Sequence, residues 1–323
     1  MKKEKSKEKS VVNKVFWISI CVMLSIYALS IIFTLLWGLL TSLKNYDEFM
    51  YNPSSWLGFP TLDSEIKWNS RNEFFKLFNY REILADYHLV EEQCKTEYIS
   101  HGEEIMHRAT GGFAMVVVNT IIYTVVGSIL HTIIPAVVAY AVVKYSNVVG
   151  KIITGAALFA MTTPIIGSQA SMLTMLRNMG IYDTFWAYLL QKASFTGMYF
   201  FVFSAFYESV PDSFAEAAEI DGASQFSVLV QIIMPLSIKM LSTVFLLQFV
   251  HFWNDYQTAY IYMPTHPTLA YAVWWLTSSN AVGGGDMTVR VAASMSLALP
   301  ILVVFVFLKD KLMGNVSMGG LKQ

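Results

Sequence analysis

Residues 15–43 run for 29 positions without one charged side chain. A helix crosses the hydrocarbon of a bilayer in about 20 apolar residues, and a cleavable leader has an apolar core of only about 7–15. The run is therefore read as a retained first membrane helix, entered from the lysine-rich stretch that holds Lys2, Lys3, Lys5, Lys7, Lys9 and Lys14. Further apolar runs place five more spans near 113–137, 152–176, 184–206, 237–260 and 288–308, the first helix covering 15–40; Lys192 interrupts the fourth. The fold class expected is all-α, a polytopic membrane protein with six transmembrane helices. Composition agrees: 14% of residues are charged and the mean hydropathy is +0.48, whereas a soluble domain carries about 25% charged residues.

The charges gather at the N-terminus, in residues 44–108 and in short loops. By the positive-inside rule the leading lysines put the N-terminus in the cytoplasm. Six crossings return the C-terminus to the same side, in agreement with Lys309, Lys311 and Lys322, and the loop with Lys144 and Lys151 also falls inside. The acid-rich segment falls outside, where Trp56, Trp68, Phe74, Phe75, Phe78 and Tyr80 suggest a small ordered cap. The expected organisation is a basic cytoplasmic N-terminus over 1–14, a first helix over 15–40, an extracellular segment over 41–112, a five-helix core over 113–310 with a cytoplasmic loop at 207–236, and a glycine-containing cytoplasmic tail over 311–323. The net charge of −1, with no basic stripe, argues against a nucleic-acid partner. Cys21 lies in an apolar run and Cys94 in a polar segment, so no disulfide framework is implied.

The loop at 207–236 is acidic, rich in alanine and broken by glycine. Pro211 suits the first turn of a helix, and Asp212, Glu216 and Glu219 load that helix with acid. Ala217 and Ala218 leave its backbone open to close approach by another surface. Asp221-Gly222 is a stop signal, because glycine supplies the positive φ that ends a helix. A second helix starts near Ser224 and ends, or passes into the fifth span, at Pro235. The product is a helix-turn-helix knuckle that projects from the membrane.

At these residues the chain resembles the permease subunits of ATP-binding-cassette importers. Their pattern runs here as Glu216-Ala217-Ala218, Gly222 after three residues, Ile232 after nine, and Met234-Pro235, with methionine in place of the usual leucine. Ile220-Asp221-Gly222-Ala223-Ser224 and Phe252-Trp253-Asn254-Asp255-Tyr256 resemble the carbohydrate class, as do Ala292-Ala293, Leu299-Pro300 and the ending Met318-Gly319-Gly320-Leu321-Lys322. The similarity extends from about residue 113 to the end and is closest to the maltose-type second permease. The long outer segment, Lys309-Asp310-Lys311 and the terminal Gln323 depart from that class. The resemblance implies a coupling loop at Glu216, Ala217, Ala218, Asp221, Gly222 and Pro235 that is gripped by two ATPase subunits. It also implies a second permease, a different chain, with which this one forms a heterodimer, and an extracellular solute-binding protein. ATP belongs to the partner subunits. This chain is expected to carry no cofactor and no metal and to be no enzyme, since Gly150-Lys151 and Gly283-Gly284-Gly285 both fail the phosphate-binding pattern G-x-x-x-x-G-K-[ST].

Ionisable residues inside a membrane are costly and mark function. Asp255 stands out, with His251 one helical turn before it and Trp253, Asn254 and Tyr256 adjacent. Aromatic faces next to a carboxylate suit a hydroxyl-rich solute, so Trp253, Asn254, Asp255 and Tyr256 are candidates for lining a pathway; the same aromatics also fit an interfacial belt. His131 reads as a satisfied interior group, and Lys192 as reaching to the outer interface. Pro135, Pro164 and Pro300 are candidate kinks, and Gly155, Ala156, Ala157 and Ala160 a close-packing stripe. His101, His107, Glu103 and Glu104 match no metal-site spacing. Two other readings remain at this stage. One is the same architecture carrying a phosphorylated polyol, amino acid or peptide. The other is an ion-coupled secondary carrier built on His251 and Asp255, which the absence of an internal repeat disfavours.

Overall fold

The computed structural model describes residues 2–44, 49, 112–145, 148–163, 167–278 and 287–313. Every regular element among them is helical. The outer segment, including Cys94 and the histidines at 101 and 107, lies almost wholly outside the described residues, as do Pro164 and the tail beyond Met313. The chain divides into two units, 1–85 with 279–296, and 86–278 with 297–323.

In the first unit α1 spans Lys2–Ser42, so the helix begins well before the apolar run. Its apolar side chains from Val15 to Leu36, apart from the half-buried Ile20, are exposed, as lipid-facing side chains are. Its hydroxyls turn back on their own helix: Ser19 donates to the Phe16 carbonyl (2.8 Å), Ser25 to Cys21 (2.8 Å) and Thr34 to Ser30 (2.9 Å). In hydrocarbon every polar group has to be satisfied internally. Thr288, Val289, Ala292 and Ala293, in the first turns of the last helix, are buried.

The second unit is built on α2 (Gly112–Lys144), which is apolar all round and packs along α6 (Met198–Glu208) and α9 (Ile238–Trp253). Small residues Ala136 and Ala139 make that contact close. Between them run α3 (Val148–Thr162), α4 (Ser168–Asn178), α5 (Phe185–Lys192), α7 (Ser213–Ile220) and α8 (Gln225–Leu236). After α9 come α10 (Gln257–Tyr262), α11 (Leu269–Ser278) and α12 (Met287–Met313). One apolar cluster joins the C-terminal half of α2 to Ala157, Phe200, Phe203, Tyr207, Ala215, Val228 and Val244. A second joins Tyr123 to Leu176, Tyr188, Phe252 and Tyr262.

The spans read from hydropathy are less regular than a row of six rods. Among the described residues three helices are long and apolar enough to cross a membrane, Asn13–Ser42, Ala114–Lys144 and Met287–Phe307. A fourth candidate is the pair α8 and α9, bent by 74°. The stretch 152–176 divides into α3 and α4, and 184–206 into α5 and α6, with Gly197 at the second break (φ 146°, ψ −178°). Hydropathy averages over such breaks because 163–167 (Thr-Pro-Ile-Ile-Gly) and 193–197 (Ala-Ser-Phe-Thr-Gly) carry no charge and keep large apolar residues. Pro135 and Pro300 leave α2 and α12 as single helices. Of the small-residue stripe only Ala157 is buried, while Gly155 and Ala156 are exposed.

Candidate functional site

Two places in the second unit gather the residues singled out by the sequence. The first is the knuckle. Helix α7 ends in a Schellman turn: the Gly222 amide donates to the Glu219 carbonyl (3.0 Å) and Ala223 to Ala218 (2.9 Å). Gly222 has φ 84°, which a side chain adopts only at a cost, although nothing lies within 4 Å of an added Cβ. The Ser224 hydroxyl then accepts the Ser227 amide (3.2 Å) and caps α8. A wide π turn, Leu229–Ile233, precedes Pro235, whose nitrogen has no hydrogen to give to the turn before it.

Alanine at 215 and 218 lets α7 lie close on the bundle, where Ala215 is 4% exposed. The exposed side of the knuckle carries Glu216 and Ala217 with the apolar side chains of Phe214 and Ile220 and, from α8, Phe226, which are 50%, 86% and 74% exposed. A strap fixes the knuckle to the end of α2. Lys144 Nζ lies 3.2 Å from Glu219 Oε1, the Gln225 amide donates to the same oxygen (2.9 Å), and Tyr145 Oη donates to Gln225 Oε1 (3.0 Å). The Gln225 hydrogen bond, followed by that of Lys144, holds the Glu219 carboxyl below its ordinary value. Spacing alone pointed to Ala217 and Ala218 as equivalent; Ala218 in fact faces the bundle. The exposed apolar trio was missed, although its members are simply the large apolar residues of a loop otherwise acidic and small.

The second place is a polar cluster around Asp255. Its Oδ2 accepts from Tyr123 Oη (2.6 Å), Thr258 Oγ1 (2.7 Å) and Lys192 Nζ (3.2 Å), and its Oδ1 accepts the Thr258 amide (3.1 Å) in the first turn of α10. Lys192 Nζ also donates to Thr258 Oγ1 (3.3 Å) and sits 4.8 Å from the centroid of the Phe252 ring. Both charged side chains are nearly buried, 13% and 12% exposed. Tyr188 stacks on Tyr123 with centroids 4.2 Å apart and donates to the Tyr123 carbonyl. Nearby, Asp183 (φ 59°) accepts the Thr265 amide (3.1 Å) and hydroxyl (2.7 Å), which ties the α4–α5 connection to the chain before α11.

Two sequence expectations need correction. His251 and Asp255 do not share a helix face, because α9 stops at Trp253 and Asp255 serves α10 instead. Lys192 does not reach outward; its ammonium turns in to Asp255. The four candidates for a pathway lining do not share one surface. Trp253 is buried, donates to the Leu297 carbonyl (2.9 Å) and stacks on Phe249. Asn254 is exposed and bonds Val250 of its own helix (2.8 Å). Tyr256 stacks on Trp274, centroids 5.3 Å apart.

Comparison with known proteins points in one direction. Residues 131–315 match the family described as "Binding-protein-dependent transport system inner membrane component". The chain is 26% identical over 223 residues (68% of it and 79% of the relative) to the melibiose/raffinose/stachyose import permease protein MelC of Bacillus subtilis. It is 24% identical over 212 residues (65% and 77%) to the trehalose transport system permease protein SugB of Mycobacterium tuberculosis. It is 23% identical over 219 residues (63% and 75%) to the polygalacturonan/rhamnogalacturonan transport system permease protein YtcP of Bacillus subtilis. Its fold is similar, with TM-score 0.66 and 20% identity over 92% of this chain and 96% of the other, to a chain from the crystal structure of a bacterial ABC transporter involved in import of the acidic polysaccharide alginate.

Proposed function

Because the chain belongs to the family of binding-protein-dependent transport system inner membrane components, we propose that it is the permease subunit of an ATP-driven importer of a sugar or oligosaccharide. The relatives named for melibiose, trehalose and polygalacturonan transport support the cargo class. The observation that carries the mechanism is the knuckle: a capped, strapped helix pair whose outward face exposes three large apolar side chains around an acidic, glycine-ended turn. Exposed apolar clusters rimmed by polar residues mark protein contacts.

In this reading the chain crosses the plasma membrane six times, with α3–α4 and α5–α6 as broken spans and both termini in the cytoplasm. The knuckle at 207–236 faces the cytoplasm and seats Glu216, Ala217, Asp221 and Gly222 against an ATPase subunit, with Ala218 and Pro235 shaping its inner side. Two such ATPases hold the ATP. A second permease, a different chain, completes the pathway, and an extracellular binding protein delivers the solute. Asn254, Asp255 and Tyr256, with Trp253 behind them, border the outer part of that pathway. Membrane lipid surrounds the assembly, and neither nucleic acid nor a bound cofactor takes part.

Uptake tests this. Gly222→Val forces a β-branched side chain into positive φ, and Glu216→Arg reverses a charge on the docking face. Each is expected to reduce solute uptake in cells to near background while the protein inserts at its normal level. Normal uptake with both variants contradicts the proposal.

A further inference from the structure

Where α5 and α6 part, a cavity of about 390 Å³ opens between their ends and the facing stretches of α2 and α9. Its lining includes His131, Lys192, Gly197, Gln248, His251 and Phe252. Gln248 is the telling residue. It is 6% exposed, it lines the cavity, and its amide has no hydrogen-bond partner among the described residues. Its amide atoms are reached from the cavity rather than sealed off, so their partners have to come from there. His131 and His251 pack edge-on against the Phe252 ring, at 5.3 and 5.2 Å between centroids, and no hydrogen bond joins either ring to another described residue.

A helix end and a lysine face the cavity, the lysine charge being offset by Asp255 on its far side. Helix α6 begins at the cavity, and its N-cap, Gly197, provides no side-chain cap. The first amides of a helix are unpaired and favour an anion. Gly197 occupies backbone space that is essentially reserved for glycine, so the sequence keeps that end uncapped. Lys192 has three hydrogens to donate and spends two on Asp255 and Thr258. No aspartate or glutamate is among the lining residues.

We propose that this cavity is a solute subsite for a sugar ring bearing a carboxylate. The carboxylate meets the α6 amides and the remaining Lys192 hydrogen, the hydroxyls meet Gln248, His131 and His251, and the ring face lies on Phe252. The proposal rests on the importer reading above and assigns it residues that reading does not use.

The test is saturation-transfer NMR on the full chain in lipid nanodiscs, with digalacturonate and its neutral counterpart galactobiose as probes. Digalacturonate is expected to bind and galactobiose to bind at least about ten-fold more weakly. Gln248→Leu, close in shape, weakens digalacturonate about ten-fold, as the loss of one hydrogen bond within a charged site does. Should Gln248→Leu not fold, His251→Leu at the exposed rim serves the same purpose with a loss of several-fold. Absence of binding, equal binding of the two probes, or wild-type binding by the folded variants overturns the proposal. If the importer reading itself is wrong, saccharide uptake by cells is indifferent to deletion of this chain. If only the subsite is wrong, uptake still depends on the chain.

Discussion

Asp255 is held from four directions, by a lysine, a tyrosine, a threonine hydroxyl and a threonine amide. Removing one partner of a buried pair leaves a charge without compensation, which costs about 3–5 kcal/mol, whereas neutralising both partners is far cheaper. Lys192→Met is therefore expected to lower the thermal unfolding midpoint strongly, and Lys192→Met with Asp255→Asn to recover most of the loss. A double variant as unstable as the single one would show that the pair is not coupled. Asp255 was visible in the sequence because a carboxylate in an apolar run is conspicuous. Lys192 as its partner was not, because 63 residues separate them and no local pattern links them. Thr258 was within reach: an acid followed three residues later by a threonine is capping spacing.

The elements are joined as economically at the other end of the unit, where Lys144, Gln225 and Tyr145 connect α2 to the knuckle through Glu219. Glu219 has its carboxyl depressed below the ordinary value of 4.5. The folded state thus binds that proton less readily than the open chain, so the strap stabilises the knuckle above the ordinary value and is lost as pH falls through the folded one. Hydrogen exchange at the amides of 213–223, corrected for intrinsic rates, should be flat from about pH 8 to 5.5 and should accelerate below the carboxylate range. Glu219→Gln should exchange faster throughout and lack the acid step; exchange like that of the wild type would mean the strap is idle. Element by element, the sequence was most legible where the cause is local. The charge-free run of α1 and the Asp-Gly stop of α7 both announce themselves. The breaks at 163–167 and 193–197 did not, because Ile165, Ile166 and Phe195 keep the hydropathy average high across them. The knee between α8 and α9 was marked by Pro235, although its 74° angle was not.

For the whole molecule, the account joins a family membership that covers 131–315 to a knuckle built within that range. On the importer reading proposed above, force reaches this subunit from a separate motor, and a knuckle strapped to α2 with exposed apolar side chains offers a stiff contact for it. The side of the membrane on which the knuckle lies decides whether this is so. Ile220 is 86% exposed at its tip. With Cys21 and Cys94 changed to serine and Ile220→Cys introduced, a membrane-impermeant maleimide should label inside-out vesicles and leave intact cells unlabelled. Labelling of intact cells at position 220 would place the knuckle outside and contradict the account.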